Sequence, residues 1–194
     1  MKKGGVRYRL AWRALSAMSG AAAIAVGLFL ASLQWFGNFH TVVAGELYRS
    51  AQMTPDELSA YVANYGIKTV INLRGDGGAT KWYVEEKDAS SQLGIEHVDF
   101  SMSAQKPLSR SKTEELAEIL RSVPKPILIH CKAGSDRSGF ASALYLAAVK
   151  GVDVEEAENQ LSVRYGHISL PFMPAYAMDE TYEDVEAWLG YPGS

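Results

Sequence analysis

The chain of 194 residues holds a single cysteine, Cys131, so no internal disulfide can staple it. Its four histidines, His40, His97, His130 and His167, are scattered, and no cluster of His, Cys, Asp and Glu has metal-ligand spacing. Internal repeats and low-complexity tracts are missing too, which excludes solenoid architectures. No acidic residue precedes Glu46. Beyond residue 45 the balance reverses, with 14 Lys and Arg against 22 Asp and Glu, a net of −8 with no basic stripe. Such a field repels nucleic acid, so no nucleic-acid partner is expected.

From Ala14 to Phe36 the chain has no charged residue and is dominated by Ala, Leu, Ile, Val and Phe. That length suits a transmembrane helix or a signal peptide. Lys2, Lys3, Arg7, Arg9 and Arg13 flank it on one side, and Trp35 and Phe36 close it on the other. By the positive-inside rule the basic flank stays in the cytoplasm. This orientation predicts an inner-membrane anchor over residues 14–36 and a periplasmic domain over 37–194. Ala23-Ile24-Ala25 lies inside the apolar run and Val42-Val43-Ala44 comes late for a cleavage site, so an uncleaved anchor is the first reading and secretion the alternative. A lone thiol is compatible with an oxidising compartment.

The informative stretch is His130-Cys131-Lys132-Ala133-Gly134-Ser135-Asp136-Arg137-Ser138-Gly139. Pro126-Ile127-Leu128-Ile129 before it reads as a buried strand, and Phe140 to Lys150 after it as a helix ending at Gly151. Between a strand and a helix N-terminus, the backbone N–H groups of Lys132 to Arg137 can converge as an anion nest, strengthened by the helix dipole. The same field favours a thiolate at Cys131. Arg137 adds a planar fork that can hold two phosphate oxygens at once.

This loop resembles the His-Cys-five residues-Arg-Ser/Thr signature of cysteine-dependent protein tyrosine phosphatases, in particular the small bacterial dual-specificity-like branch. Leu47-Tyr48-Arg49-Ser50-Ala51-Gln52 is similar to the family's entry strand, and Ile67 to Arg74 to its first core strand. The resemblance implies that Cys131 attacks phosphorus to form a phosphocysteine, that Arg137 holds the equatorial oxygens, that Ser138 donates a hydrogen bond to the sulfur, and that His130 orients the loop. Lys132, Ala133, Gly134 and Ser135 would line the phosphate. No metal or cofactor is expected. The substrate so implied is a phosphorylated protein, on tyrosine and by extension on serine or threonine. Two alternatives stand beside it. The Cys-Lys-Ala-Gly sequence also resembles loops of phosphoinositide phosphatases, and the nest alone would serve a non-catalytic phosphate-binding module. Nothing in the sequence specifies an oligomer.

The general acid stays open among three assignments. The resemblance implies an aspartate on the loop after the preceding strand, but Val98 to Pro107 contains only Asp99, and its alternation places Asp99 within the strand. Asp136, beside Arg137, is the first choice, with Asp99 and water behind it.

Around the loop, Thr54-Pro55-Asp56-Glu57 writes a capping box for a helix ending at Gly66. Further helices are expected from Lys81 to Leu93, from a cap at Ser111, from Asp153 to Tyr165, and from Asp179 to Leu189, with a strand from Ile95 to Met102. The order of elements predicts an α/β domain with a central, largely parallel sheet flanked by helices, as in dual-specificity phosphatases. The phosphate loop would then lie at a strand's C-terminal end, where such sheets bind ligands.

Overall fold

The computed structural model describes residues 4–190. It divides into two compact units, residues 1–36 and 37–194. The first contains helix α1, Gly4–Trp35. Its segment Met18–Trp35 has the length and composition to cross a membrane.

The second unit is an α/β domain. In chain order it contains β1 (His40–Val43), β2 (Leu47–Ser50), α2 (Pro55–Tyr65), β3 (Thr69–Asn72), α3 (Lys81–Leu93), β4 (Glu96–Asp99), α4 (Arg110–Ser122) and β5 (Ile127–His130). Then follow α5 (Asp136–Leu144), a π-helical turn (Tyr145–Val149), α6 (Val154–Glu158) and α7 (Ala177–Trp188). The sheet order is β1-β2-β5-β3-β4, and every pairing except that of β1 with β2 is parallel. The expected largely parallel sheet is therefore present, with β5 at its centre.

Alternation along the strands sorts the core into two layers. Leu47, Ile71, Ile127, Ile129 and Cys131 pack with residues of α4, α5 and α7. Tyr48, Val70 and Leu128 pack on the other face with Leu58 of α2 and Ala89 of α3. A parallel central strand is buried on both faces, which is why Ile127-Leu128-Ile129 reads as a continuous apolar run.

Several boundaries differ from the sequence expectation, each for a local reason. Strand β1 was not anticipated; it is a four-residue antiparallel edge with an irregularity between Thr41 and Val43, too short to show a period. The helix after the loop starts at Asp136 rather than Phe140 and ends in the π turn, where Lys150 N bonds Tyr145 O at 3.1 Å. The cap of α4 is Ser109, whose Oγ accepts from Lys112 N, not Ser111. The helix capped by Asp153 stops at Glu158 instead of Tyr165. There the Asn159 side chain folds back onto the carbonyls of Glu155 and Glu156, and the Gln160 carbonyl is taken by a side chain from β2. Strand β4 ends at Asp99, three residues before Met102.

Candidate active site

Cys131 follows β5 directly, is 2% exposed, and begins a turn that enters α5 at Asp136. All the site residues named from the decapeptide are contiguous, so the question is how the turn is held open.

Four successive carbonyls of the turn are bound from behind. Gln52 N donates to Lys132 O at 3.3 Å, and Asn38 Nδ2 to Ala133 O at 3.0 Å. Arg49 Nη2 donates to Gly134 O at 2.8 Å and to Ser135 O at 2.9 Å. In a trans peptide the C=O and the following N–H point in opposite directions. Fixing these carbonyls on the protein side therefore turns the N–H groups of Ala133, Gly134, Ser135 and Asp136 toward the opposite side, the side of the α5 N-terminus. Amides turned to one side in this way are what an anion nest requires.

Gly134 makes the turn possible. It has φ of +72°, and a Cβ there would stand 2.6 Å from Ala51 N and 2.7 Å from Ser50 C, both backbone atoms of the adjoining β2 segment. Backbone cannot step aside as a flexible side chain can. Gly134→Ala is expected to lower kcat/KM for p-nitrophenyl phosphate by about a hundredfold through displaced amides. Steady-state kinetics on the variant check this, and a loss of less than about fivefold would refute it.

Arg49 was not singled out by sequence reasoning, yet its side chain is fully buried. Besides the two loop carbonyls it donates from Nη1 to Gln160 O at 2.9 Å and to Gln160 Oε1 at 3.1 Å, and its guanidinium lies 4.3 Å from the Tyr165 ring centroid. No carboxylate pairs with it among the described residues. Burial lowers its pKa to about 10, while neighbouring Cys131, Tyr165 and Asp136 act the other way. A buried cation held by neutral carbonyls and an aromatic ring favours an anion nearby.

Arg137 lies in the first turn of α5. Its Nη1 donates to Leu73 O at 3.4 Å and to Met102 O at 3.3 Å, while its buried Nε has no partner. Two carbonyls thus steer the guanidinium and leave donors for a ligand. Ser138 Oγ is buried and unpartnered, so the hydrogen bond to sulfur expected of it is not made in this structure.

His130 is buried on the opposite sheet face from Cys131. Its Nε2 meets Glu86 Oε1 at 3.0 Å, and His97 Nε2 meets the same oxygen at 2.8 Å. Gln52 Nε2 donates to Glu86 Oε2, while Gln52 Oε1 accepts from Arg74 Nη1 at 2.7 Å. Burial alone would raise the Glu86 pKa, but the hydrogen bonds from His130, His97 and Gln52 outweigh it and hold the group down at about 2. Arg74 Cζ lies over the Trp82 ring, 3.6 Å from its centroid. Glu86 is thus the hub that ties α3 to the loop.

The two aspartates differ in their engagement. Asp99 Oδ1 accepts from Asn72 Nδ2 at 2.9 Å and Oδ2 accepts from the Tyr83 hydroxyl, so both oxygens are occupied by structural donors. Asp136 is partly exposed, and its Oδ1 meets Nδ1 of His167 at 2.8 Å.

A family model described as the tyrosine phosphatase family matches residues 36–160. The chain belongs to that family. The phosphatase also shares its fold with solved structures at low identity. P. aeruginosa TpbA matches with a TM-score of 0.61 and 20% identity, covering 79% of this chain and 91% of that one. PTPMT1 matches with a TM-score of 0.59 and 19% identity over 77% and 97%. The core catalytic domain of the PP-IP phosphatase SIW14 from S. cerevisiae matches at 0.57 and 18% over 79% and 93%. A comparison with curated proteins finds no match.

Proposed function

We propose that this phosphatase is a membrane-anchored enzyme that hydrolyses phosphotyrosine in periplasmic proteins through a phosphocysteine on Cys131. The observation that carries the reading is the run of four loop carbonyls bound from behind, with Cys131 and the unpaired edge of Arg137 at the same turn. In this mechanism the dianionic phosphate enters the nest, and its oxygens accept from the loop amides and the Arg137 fork. The Cys131 sulfur attacks phosphorus as the bond to the tyrosyl oxygen breaks. Asp136 gives that oxygen a proton, and later takes one from the water that displaces the sulfur. Ser138, with its free hydroxyl, is poised to donate to the departing thiolate. His130 acts from behind, through Glu86.

Residues 14–36 serve as the anchor and residues 37–194 as the catalytic domain. Asn38 supports retention of the junction, because a cut after Ala44 would remove both β1 and the side chain that braces Ala133.

An aromatic substrate is supported by Arg74 and Trp82, which pair a guanidinium with an aromatic ring 3.6 Å away. TpbA has been solved with phosphotyrosine and PTPMT1 with PI(5)P. A second reading, an inositol phosphate, is favoured by Arg74 and Lys132, neither of which has a carboxylate partner among the described residues. The test is acid quenching of the full-length chain during turnover of 32P-labelled phosphotyrosine peptide and inositol phosphate. A labelled, hydroxylamine-resistant phosphoenzyme lost in Cys131→Ser is expected, with kcat/KM at least tenfold higher on the peptide. No phosphoenzyme would refute the mechanism, and the reverse preference would refute the substrate.

A further inference from the structure

His167 meets a carboxylate within hydrogen-bond distance through each of its ring nitrogens. It is fully buried, with Nδ1 at 2.8 Å from Asp136 Oδ1 and Nε2 at 2.9 Å from Asp179 Oδ2. The turn that places it is local: Gly166 has a φ of +86°, and His167 N donates to Ser162 O at 3.1 Å. Asp179 comes from α7 and Asp136 from α5, so the imidazole bridges two helices beside the phosphate loop.

A neutral imidazole has one N–H and cannot donate to both oxygens. The cluster therefore carries two protons in one of two arrangements. Either an imidazolium lies between two carboxylates, or a neutral imidazole accepts from a carboxylic acid. The two arrangements differ only by the position of one proton along a hydrogen bond, and in one of them that proton is on Asp136.

We propose that His167, clamped by Asp179, is the positioning residue that stores the proton Asp136 delivers to the leaving oxygen and takes it back when water is cleaved. The inference rests on the assignment of Asp136 as general acid. The proton balance is closed. In the first half, the P–O bond breaks, the P–S bond forms, and the proton passes from His167 through Asp136 to the leaving oxygen. In the second half, a water oxygen bonds phosphorus, the P–S bond breaks, and the water proton returns through Asp136 to His167. Asp179 keeps Nε2–H in place throughout, so Nδ1 is the nitrogen that exchanges.

The electrostatics agree with the geometry. Burial alone would lower the His167 pKa, but the hydrogen bonds to Asp136 and Asp179 outweigh it and raise the pKa to about 9. Those two carboxylates are the groups that act on the ring. Behind them stand Arg49, which senses Asp136, and Glu158, which senses Asp179, while Ser169 bonds Asp179. A proton is thus retained in the cluster across neutral pH, where an isolated aspartate has lost its own.

The test compares phosphotyrosine, whose leaving group needs a proton, with p-nitrophenyl phosphate, whose leaving group needs little. Full-length His167→Gln is expected to lower kcat on phosphotyrosine at least tenfold more than on p-nitrophenyl phosphate. The alkaline limb of its phosphotyrosine profile should move down by two or more pH units. Equal losses on both substrates with an unmoved limb would mean a purely structural brace and overturn the proposal. Asp179→Asn, which keeps side-chain volume, is read the same way should the first variant fail to fold, and its limb is expected to move down by at least one unit. Asp136→Asn separates the two levels of inference. If it shows no leaving-group dependence, the general-acid assignment fails; if it does and neither partner variant does, only the role of His167 fails.

Discussion

Replacing Cys131 with serine is expected to lower turnover of p-nitrophenyl phosphate by about ten-thousandfold or more while phosphate binding persists. A serine hydroxyl has nearly the size of the thiol but does not ionise near neutral pH, so the nucleophile is lost without the cavity. The nest is built by others. Gln52, Asn38 and Arg49 bind the carbonyls of Lys132 to Ser135 with no part played by the sulfur. The affinity for inorganic phosphate, measured by calorimetry, should therefore stay within about threefold of the parent. Turnover above about 1% of the parent would show that another group attacks phosphorus. Loss of binding along with turnover would show that the sulfur shapes the loop.

Arg49→Met should cut kcat/KM by about 100- to 1,000-fold, the scale of removing one oxyanion donor, because two loop amides lose their aim together. The physical chain has three links. Arg49 fixes the carbonyls of Gly134 and Ser135, those peptide planes fix the amides of Ser135 and Asp136, and in the proposed mechanism the amides hold the phosphate. Arg49→Lys is not expected to rescue, since a point ammonium cannot span two loop carbonyls and Gln160 O at once. Stability is the discriminating control. Removing a buried cation with no carboxylate partner relieves a desolvation cost while orphaning the carbonyls of Gly134 and Gln160, Ser135 O keeping its bond from Gly139 N, so the melting temperature should change far less than activity does. A variant within about fivefold of the parent in kcat/KM would end this reading.

Glycine supplies the complementary constraint at the same place. Gly139 on α5 lies where a Cβ would be 2.8 Å from Gln160 O and 3.3 Å from Arg49 Nη2. The second glycine of the motif thus makes room for the arginine that braces the first. The loop and its support are packed as one unit across β2, α5 and the turn after α6.

Much of this was legible because it is contiguous. The decapeptide carries Cys131, Arg137 and the loop between them within a single turn, and the apolar run of β5 and the helix after it bracket that turn. The capping box of Thr54 and Glu57 was readable for the same reason, since its partners are three residues apart. Where the prediction slipped, a distant group intervened. The α6 helix stops short because Arg49, 111 residues away in sequence, takes the Gln160 carbonyl. His167 gave no local signal at all, as its carboxylates lie 31 residues before and 12 residues after it.

The sequence by itself determined the family, the reaction class, the parallel sheet with the loop at its centre, and an N-terminal segment apolar enough to span a membrane. Those properties follow from residue types at short spacing, where backbone geometry leaves few choices. Only the tertiary structure decided what stands behind the loop: Asn38, Arg49 and Gln52 on its carbonyls, Glu86 on His130, and His167 on Asp136. Buried carbonyls and charges must find partners, and which partners are near depends on how strands and helices far apart in the chain are packed together.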